Sequence, residues 1–314
     1  GDTTVDILVK RPGAETPFSI TVEREEITVV TVFSEMLDDG LGYIKINSFD
    51  SNTANEFEEQ YKALEQEGLH KGLVIDLRNN PGGWVGQAVE IAKKLIPEGE
   101  IVRLVESDGS VREIHYSSAS RKPYPIVGLI NEDSASSSEL LAGALQDRGA
   151  ALLVGQKTYG KAATQEPKFL SDGSAIMLTI ANYYTPSGRN IDKHGIEPDF
   201  TVEMPEVLHY YRYFHPGELE NDDYGPEVEI LQKMLEQLGY RIEVSGYFDN
   251  QTVRYLGDFQ VDAGLERTGV FDDQTWVELR EVLDIAAREQ DEQLNFTLEL
   301  FEKPGLWNVM GGNN

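Results

Sequence analysis

The residues best suited to chemistry form a serine-rich turn at 131–140, with the sequence Asn-Glu-Asp-Ser-Ala-Ser-Ser-Ser-Glu-Leu. The turn follows an apolar run at 126–130 that predicts a buried strand, and it precedes an apolar stretch at 140–145 that predicts a helix. Hydroxyl groups would then lie beside the free backbone N–H groups of a helix N-terminus, where negative charge is stabilised. An acyl-enzyme can form at such a place. Serines are also ordinary helix caps, so the serines alone leave a purely structural role open.

A lysine further along the chain offers these serines a partner. Residues 151–155 predict a second buried strand, and Lys161 follows it after a short loop. A strand, a helix and an adjacent parallel strand bring the end of the second strand back to the start of the helix, so Lys161 and Ser136 are predicted neighbours. A lysine can take the proton of a serine only when burial keeps the amine neutral. The sequence therefore predicts a Ser-Lys pair in a dry pocket, although a lone loop lysine is more often a solvated charge.

A glycine pair lies in another strand-to-helix connection. The apolar run 73–77 predicts a buried strand, Arg-Asn-Asn-Pro-Gly-Gly follows at 78–83, and residues 85–95 predict an apolar helix. Glycine pairs at such junctions are often turn chemistry only. In a parallel α/β sheet, however, this loop and the serine turn would both follow the carboxyl ends of strands, where sites form.

Together, the serine turn, the lysine and the glycine pair resemble the carboxy-terminal processing proteases, also called tail-specific proteases. These are Ser-Lys enzymes that cleave near the C-terminus of extracytoplasmic proteins, and the resemblance runs through nearly the whole chain. It implies an α/β fold with a parallel-containing sheet protease core, the crotonase-like ClpP/tail-specific protease fold. A small three-helix C-terminal domain and a residual PDZ hairpin complete the expected architecture.

The resemblance also implies a role for each matching residue. Ser136 is the middle serine of a Ser-Ala-Ser-x-Ser-Glu segment and matches the nucleophile. Lys161 lies 25 residues further on and matches the general base, and Gln165 matches the glutamine that orients it. The backbone N–H groups of Gly82 and Ser137 match the oxyanion hole. Ser137 replaces the usual alanine, which matters little because only its N–H is used.

Four further residues near these motifs have less direct roles. Asp147, 11 residues past the matching nucleophile, is assigned a supporting role by the resemblance. Tyr183 and Tyr184 are candidates for lining a substrate groove, although aromatic pairs at strand ends more often only pack. His194 permits a Ser-His-Asp interpretation, which is rejected because the lysine already fills the base role. No spacing of ligands predicts a metal and no loop predicts a phosphate group, so no cofactor and no metal are expected.

The chain divides into five predicted parts. Residues 1–29 resemble the last strands of a PDZ domain, the beginning of which is expected upstream with an export signal. The protease core follows at 30–205, and an aromatic and acidic stretch at 206–225 predicts a linker. Residues 226–284 resemble a three-helix peptidoglycan-binding domain, and 285–314 predict a C-terminal helix and a tail that frays at its end.

An internal repeat supports the helical domain. The segment Gly-Tyr-Phe-Asp-Asn-Gln-Thr at 246–252 recurs 23 residues later as Gly-Val-Phe-Asp-Asp-Gln-Thr. Each copy supplies a turn, an apolar anchor and a helix-capping aspartate. Whether this domain binds glycan or serves only as a dimer contact stays open.

Charge and composition limit the partners. A net charge of -28 argues against nucleic acid and anionic membranes as direct partners, and favours a salt-tolerant or alkaline habitat. No apolar run is long enough to insert into a membrane, and the absence of cysteine leaves the compartment open. The resemblance implies an exported, extracytoplasmic homodimer that acts on polypeptides with flexible C-terminal tails, with peptidoglycan as a further candidate partner. Two alternatives stay open: a non-catalytic peptide-binding relative and a wall-anchored scaffold.

Overall fold

Strands and helices alternate through the core, as expected for an α/β protein. The structure is a computed structural model and describes residues 3–10, 16–25, 29–38, 40–204, 214, 217–303 and 305. The strands are Thr4–Val9 (β1), Phe18–Glu23 (β2), Val32–Asp38 (β3), Leu41–Ile46 (β4), Gly72–Asp76 (β5), Gly99–Val105 (β6), Val111–Ser117 (β7), Ile126–Ile130 (β8), Leu152–Gly155 (β9), Ala163–Phe169 (β10), Ala175–Tyr184 (β11) and Phe200–Thr201 (β12). The helices are Thr53–Glu67 (α1), Val85–Leu95 (α2), Ser137–Asp147 (α3), Pro226–Gln237 (α4), Asn250–Asp262 (α5), Asp273–Glu289 (α6) and Glu292–Phe301 (α7).

The main sheet has the strand order β12-β9-β8-β5-β4-β3, and its neighbours are parallel except for β3 and β4. The parallel pair β8 and β9 is joined by α3, which confirms the strand-helix-strand unit predicted around the serine turn. β5 and β8 are also parallel neighbours. The loops that follow them, at 77–84 and 131–136, therefore leave the sheet at the same edge. The fold brings the glycine pair and the serine turn together.

The central strands are buried on both faces, as their continuous apolar sequences predict. Leu73 and Ile75 of β5 pack into the core that α1, α2 and α3 form on one face of the sheet. Val74 lies between them in sequence and packs on the other face, in a cluster with Leu300 of α7. The last helix therefore covers a face of the protease sheet and belongs to the core by its packing.

A second sheet is antiparallel and has the order β10-β11-β6-β7. β10 begins at Ala163, directly after the Lys161 segment. Most of β10 and the first half of β11 are exposed. Lys161 and Gln165 therefore lie at the base of an exposed two-stranded ribbon.

The three helices predicted for the C-terminal domain are α4, α5 and α6, and buried glutamines explain its repeat. Gln232 of α4 accepts a hydrogen bond from the N–H of Gly246 at 2.8 Å. Gln260 of α5 accepts one from the N–H of Gly269, the matching residue of the second copy, at 2.9 Å. Each copy's aspartate caps the next helix by accepting from the backbone N–H three residues later. The repeat thus encodes the same buried polar contact twice.

The N-terminal segment and the predicted linker flank the protease core. β1 and β2 pair only with each other within the described residues, as a hairpin. Much of the predicted linker, at 205–213, 215 and 216, lies outside the described residues. Its last part joins the helical domain, because Leu219 pairs with Phe271.

The predicted boundary after residue 284 falls inside a helix. α6 continues to Glu289 without a break, and α7 then returns to the protease sheet. The fraying tail predicted for 311–314 lies outside the described residues.

Candidate active site

Ser136 occupies the turn between β8 and α3 in a backbone conformation that few non-glycine residues adopt. Its φ is 55°, and it is the residue that immediately precedes the first turn of α3. Its N–H donates to Glu139 Oε2 at 2.9 Å, and its carbonyl accepts from the Tyr183 hydroxyl at 2.6 Å. A non-glycine residue held in the left-handed region requires such over-determination by its surroundings. The turn presents a half-buried Ser136 at a helix N-terminus.

The other serines of the turn are committed to the backbone. Ser134 and Ser138 are fully buried, and their hydroxyls donate to the carbonyls of Leu77 and Asn80, both at 2.9 Å. The Ser137 hydroxyl donates to the Gly83 carbonyl at 2.8 Å. In the described part of the chain, no backbone carbonyl takes the hydroxyl of Ser136. Three serines of the run therefore join the two loops, and Ser136 is the one left for chemistry.

Lys161 is anchored by its backbone and exposed by its side chain. Its N–H donates to Glu139 Oε2 at 2.7 Å, and its carbonyl accepts from the Tyr183 hydroxyl at 2.5 Å. The ammonium group has no hydrogen bond or ion pair with any residue that the structure describes, and none joins it to Ser136 Oγ. The predicted dry pocket is therefore not formed, because nothing described covers this end of β10. Gln165 is likewise exposed.

Glu139 links the Ser136 and Lys161 segments, and the sequence interpretation gave it no role. Its buried carboxylate accepts four hydrogen bonds: from the N–H groups of Ser136, Gly160 and Lys161 and from the Thr158 hydroxyl. One oxygen, Oε2, receives the N–H groups of both Ser136 and Lys161, so these two backbone segments lie side by side. The signal in the sequence was the Ser-x-x-Glu spacing of a helix-capping box.

Tyr183 makes a second link between the same segments. Its side chain is buried in the core, which is the packing role that aromatic pairs at strand ends more often have, and it does not line a groove. Tyr184 is half-buried. Burial, together with the negative charges of Glu139 and Asp192, raises the pKa of Tyr183 well above its ordinary value. The hydroxyl therefore stays protonated and can donate to the carbonyl of Ser136 or of Lys161.

The glycine loop approaches Ser136 so closely that it admits no side chain. A Cβ atom on Gly82 would lie 2.8 Å from Ser136 Cβ and 2.9 Å from Ser137 N. The backbone of Gly82 also has a φ of 99°, which side-chain-bearing residues rarely adopt. The Gly82 N–H donates to Asn80 Oδ1 at 2.9 Å. No acceptor for the Ser137 N–H is found among the residues described. One of the two predicted oxyanion donors is thus unpaired, and the other is bonded within its own loop.

Asparagines hold the two loops together, and the sequence interpretation missed them. Asn80 is buried, and its carbonyl accepts from the Ala135 N–H at 3.0 Å and from the Ser138 hydroxyl. Asn131 Oδ1 accepts from the Asn79 N–H at 2.8 Å, and Asn131 Nδ2 donates back to Asn79 Oδ1 at 2.7 Å. The only sequence signal was the run of asparagines after two buried strands.

Asp147 and His194 lie apart from this arrangement. Asp147 is the last residue of α3, at the opposite end from Ser136, and accepts hydrogen bonds from the N–H and hydroxyl of Ser187. Burial opposes its ionisation, but hydrogen bonds from Ser187 and the Arg189 guanidinium outweigh burial and lower the pKa of Asp147. Asp147 supports that turn and not Ser136. His194 is exposed, and its side chain has no hydrogen bond within the described part of the chain.

Comparison with known families agrees with this geometry. A model described as "Peptidase family S41" matches residues 40–202, which include both loops, Ser136 and Lys161. The chain belongs to peptidase family S41. A second model, described as "Putative peptidoglycan binding domain", matches residues 224–279, the helical domain. The family and the fold class predicted from the serine, lysine and glycine motifs are confirmed.

Relatives within the S41 family carry processing-protease names. The chain is 33% identical over 302 residues to carboxy-terminal processing protease CtpA of Bacillus subtilis, covering 96% of this chain and 64% of that protein. It is 38% identical over 210 residues to a carboxyl-terminal-processing protease of Synechocystis, covering 66% of this chain and 49% of the relative. The chain therefore spans about half to two thirds of the length of these relatives.

A solved structure gives the same assignment. The photosystem II D1 C-terminal processing protease is 35% identical and superposes with a TM-score of 0.52, covering 66% of this chain and 57% of that protein. The likeness supports an S41 protease core with parallel strands and helices on its faces.

Replacing Glu139 by glutamine is expected to lower kcat in a protein that still folds. An amide accepts at one oxygen and donates from its nitrogen, so about two of the four donors would lose their acceptor, at about 1–3 kcal/mol each. The Ser136 and Lys161 segments would then lose their common anchor. The measurement is kcat on a fluorogenic peptide, well below the melting temperature of each protein.

Glu56→Gln is the matched control for this variant. The Glu56 carboxylate accepts from the N–H groups of Thr31 and Val32, at 2.7 and 3.2 Å, and contacts neither catalytic loop. We expect it to lose stability and to keep its kcat. Equal kcat values for Glu139→Gln and wild type would show that Glu139 does not position these segments.

Proposed function

We propose that this S41 chain is a serine endopeptidase that cleaves polypeptides near their C-termini through an acyl-enzyme on Ser136, with Lys161 as general base. The observation that carries the proposal is the Glu139 carboxylate, which receives the N–H groups of both residues on one oxygen. The shared anchor holds the backbone segments of the proposed nucleophile and the proposed base side by side. Ser136 also stands at the N-terminus of α3, where an oxyanion is stabilised.

The proposed reaction proceeds in two stages. Ser136 Oγ attacks the scissile carbonyl carbon while Lys161 Nζ takes the hydroxyl proton, and the carbonyl oxygen becomes an oxyanion. The Ser137 N–H, which is unpaired in the described part of the chain, donates to that oxygen. Lys161 then gives its proton to the leaving amine, and the peptide bond breaks. A water molecule activated by the same lysine hydrolyses the ester and restores Ser136.

Substrate completes the proposed site. Lys161 is exposed, and a bound peptide that covers it would exclude water. Exclusion of water is what a lysine in general needs in order to act as a base. Gln165 lies on the same ribbon and is proposed to orient the lysine when the ribbon is covered. The Gly82 N–H would become a second oxyanion donor when the developing charge competes with Asn80 Oδ1 for it. Ordering of the site by substrate fits a protease that acts on flexible chain ends.

The setting of the proposed enzyme follows from its second domain and its relatives. The helical domain matches a peptidoglycan-binding model, so we propose peptidoglycan as a partner and an extracytoplasmic, wall-associated location for an exported homodimer. Within the described ranges, no helix is long and apolar enough to cross a bilayer. The named relatives process carboxy termini, which supports flexible C-terminal tails as the substrate class.

Digestion of casein tests the proposed activity. We expect the 314-residue chain to hydrolyse fluorescently labelled casein without a peptide activator. The segment that resembles part of a PDZ domain is the hairpin of β1 and β2, and within the described residues these strands pair only with each other, so we do not expect this segment to control access to the site. A peptide with an apolar C-terminus should not raise the rate above that seen with its C-terminal amide. Strong activation by the free carboxylate form would instead show that a tail-recognition site persists, and absence of hydrolysis would contradict the proposed function.

A further inference from the structure

The helical domain is interposed within the protease core. The chain leaves the main sheet after β12, forms α4, α5 and α6, and then returns as α7 to cover the sheet face that contains Val74 and Leu129. Only Gln290 lies between the end of α6 and Asp291, the residue that precedes α7. The position of the helical domain and the position of Asp291 are therefore coupled.

Asp291 forms a buried ion pair with the core. Its two carboxylate oxygens accept from Arg78 Nη1 at 2.7 Å and Nη2 at 2.8 Å. Arg78 also donates to both oxygens of Asp76, with Nη2 at 2.6 Å from Oδ2. Arg78, Asp76 and Asp291 are 8%, 0% and 7% exposed. Such planar, two-pronged contacts fix a guanidinium in direction as well as in distance.

The charges in this cluster balance only when Asp291 is present. Lys45 Nζ lies 3.8 Å from Asp76 Oδ2, so two cations face two carboxylates. Burial opposes ionisation of Asp76, but Arg78 and Lys45 outweigh burial and hold its pKa well below its usual range. Arg78 Nη1 also donates to Gln293 Oε1 at 3.2 Å, but that amide carries no charge. Removal of the Asp291 charge therefore leaves the buried guanidinium with one of its two carboxylate partners, which is costly in a buried site.

Arg78 stands at the start of the loop that carries the proposed oxyanion donor. The next residue, Asn79, has φ 60° and is held by paired hydrogen bonds to Asn131 of the nucleophile loop. Asn80 follows, and it bonds the Gly82 N–H and the Ala135 N–H. Asp291 is thus linked to both loops through its hydrogen bonds to Arg78, the backbone of residues 78–80, and the hydrogen bonds of Asn79 and Asn80.

We propose that Asp291, from the segment beyond the helical domain, is a positioning residue for the protease site that acts through Arg78. This inference rests on the proposed function, because the site in question is that of Ser136. The Asp291 carboxylate sets the direction of the Arg78 side chain, and Arg78 sets the start of the 78–83 loop against the nucleophile turn. Completion of the site therefore requires the chain to fold through the helical domain and back onto the sheet.

The alternative is that Asp291 is only a helix cap. Its Oδ1 accepts from the Leu294 N–H at 2.9 Å, which is an ordinary capping bond. Asparagine and serine cap helices about as well as aspartate, so Asp291→Asn and Asp291→Ser keep the cap and remove the charge. Asp272 caps α6 in the same way, through the Thr275 N–H at 2.8 Å, and has no contact with Arg78. Asp272→Asn is therefore the matched control.

The test compares these variants in the full chain, on a fluorogenic peptide and with a fluorophosphonate that labels Ser136. For Asp291→Asn we expect kcat to fall about 10- to 100-fold with KM within about twofold, since small misplacements of a catalytic group have effects of this size. The rate of Ser136 labelling should fall in parallel, and Asp272→Asn should match wild type in both. Asp291→Ser should repeat the result, and it serves in place of Asp291→Asn if that variant does not fold.

Three results separate the inference from the function on which it rests. Wild-type kcat and labelling rate in either folded Asp291 variant, whatever its melting temperature, would overturn the positioning role. Equal losses in Asp272→Asn would also overturn it, because they would show a general effect of the caps. Cleavage by a Ser136→Ala chain in the same assay would refute the proposed function itself, independently of Asp291.

Discussion

Replacement of Ser136 by alanine is expected to abolish cleavage of an unfolded substrate, with a fall in kcat of about 10⁴-fold or more. The hydroxyl is the proposed nucleophile, and no backbone carbonyl in the described residues depends on it. Its loss should therefore leave the melting temperature almost unchanged. Serine and alanine both carry a Cβ atom, so the backbone strain at φ 55° is nearly the same for the two residues. The measurements are casein digestion and the melting temperature of both proteins.

The neighbouring serines provide the controls for this variant. Ser134 and Ser138 are buried and donate to backbone carbonyls, so their alanine variants should lose about 1–3 kcal/mol of stability. They should lower activity far less than Ser136→Ala, when all are measured below their melting temperatures. If Ser134→Ala were the inactive and stable variant, the nucleophile would have been assigned to the wrong serine.

Replacement of Lys161 by arginine is expected to give an inactive enzyme at every pH at which the protein stays folded. A guanidinium does not release its proton in this range, so it cannot serve as the base. The side chain is exposed and unpaired within the described residues, so the substitution should cost little stability. The backbone contacts to Glu139 and Tyr183 do not depend on the side chain and should persist. The measurement is kcat/KM as a function of pH.

Lys157→Arg is the control for the lysine variant. Lys157 lies on the same loop, but its Nζ forms an exposed ion pair with Glu197 at 2.7 Å, which arginine can also form. We expect Lys157→Arg to keep wild-type kcat/KM. An active Lys161→Arg enzyme would remove Lys161 as the base and reopen His194, the backbone of which lies next to Gly160.

Several elements were accessible to sequence reasoning because local pattern determines them. The apolar run of β8 is predicted and observed at Ile126–Ile130, and α2 is predicted and observed at Val85–Leu95. Strands β6 and β7 were missed, since their faces are only partly buried and their pattern is weak. β3 was also missed, because a strand at the edge of a sheet needs little apolar sequence.

The residues of the candidate site likewise divide into those that a local motif identifies and those that act through contacts between distant segments. Ser136, Lys161, Gly82 and Ser137 were selected because the motifs that contain them resemble those of the tail-specific proteases. The anchoring residues Asn80 and Glu139 act on other segments through space, and their residue types alone suggest caps and turns. The exposure of Lys161 was not predictable from sequence, because it depends on what covers the ribbon of β10 and β11 and not on the residues near it.

The sequence by itself determined the chemical groups, the alternation of strands and helices, and the repeat of the helical domain, because each depends on patterns within a few turns of chain. The tertiary structure decided which distant groups meet. The continuous apolar strand of β5 required cover on both faces, but many amphipathic helices can provide it. Only the folded chain places α7 there and joins Asp291 to Arg78, a pair separated by more than two hundred residues. Long-range pairing of this kind depends on shape and charge that no local pattern records.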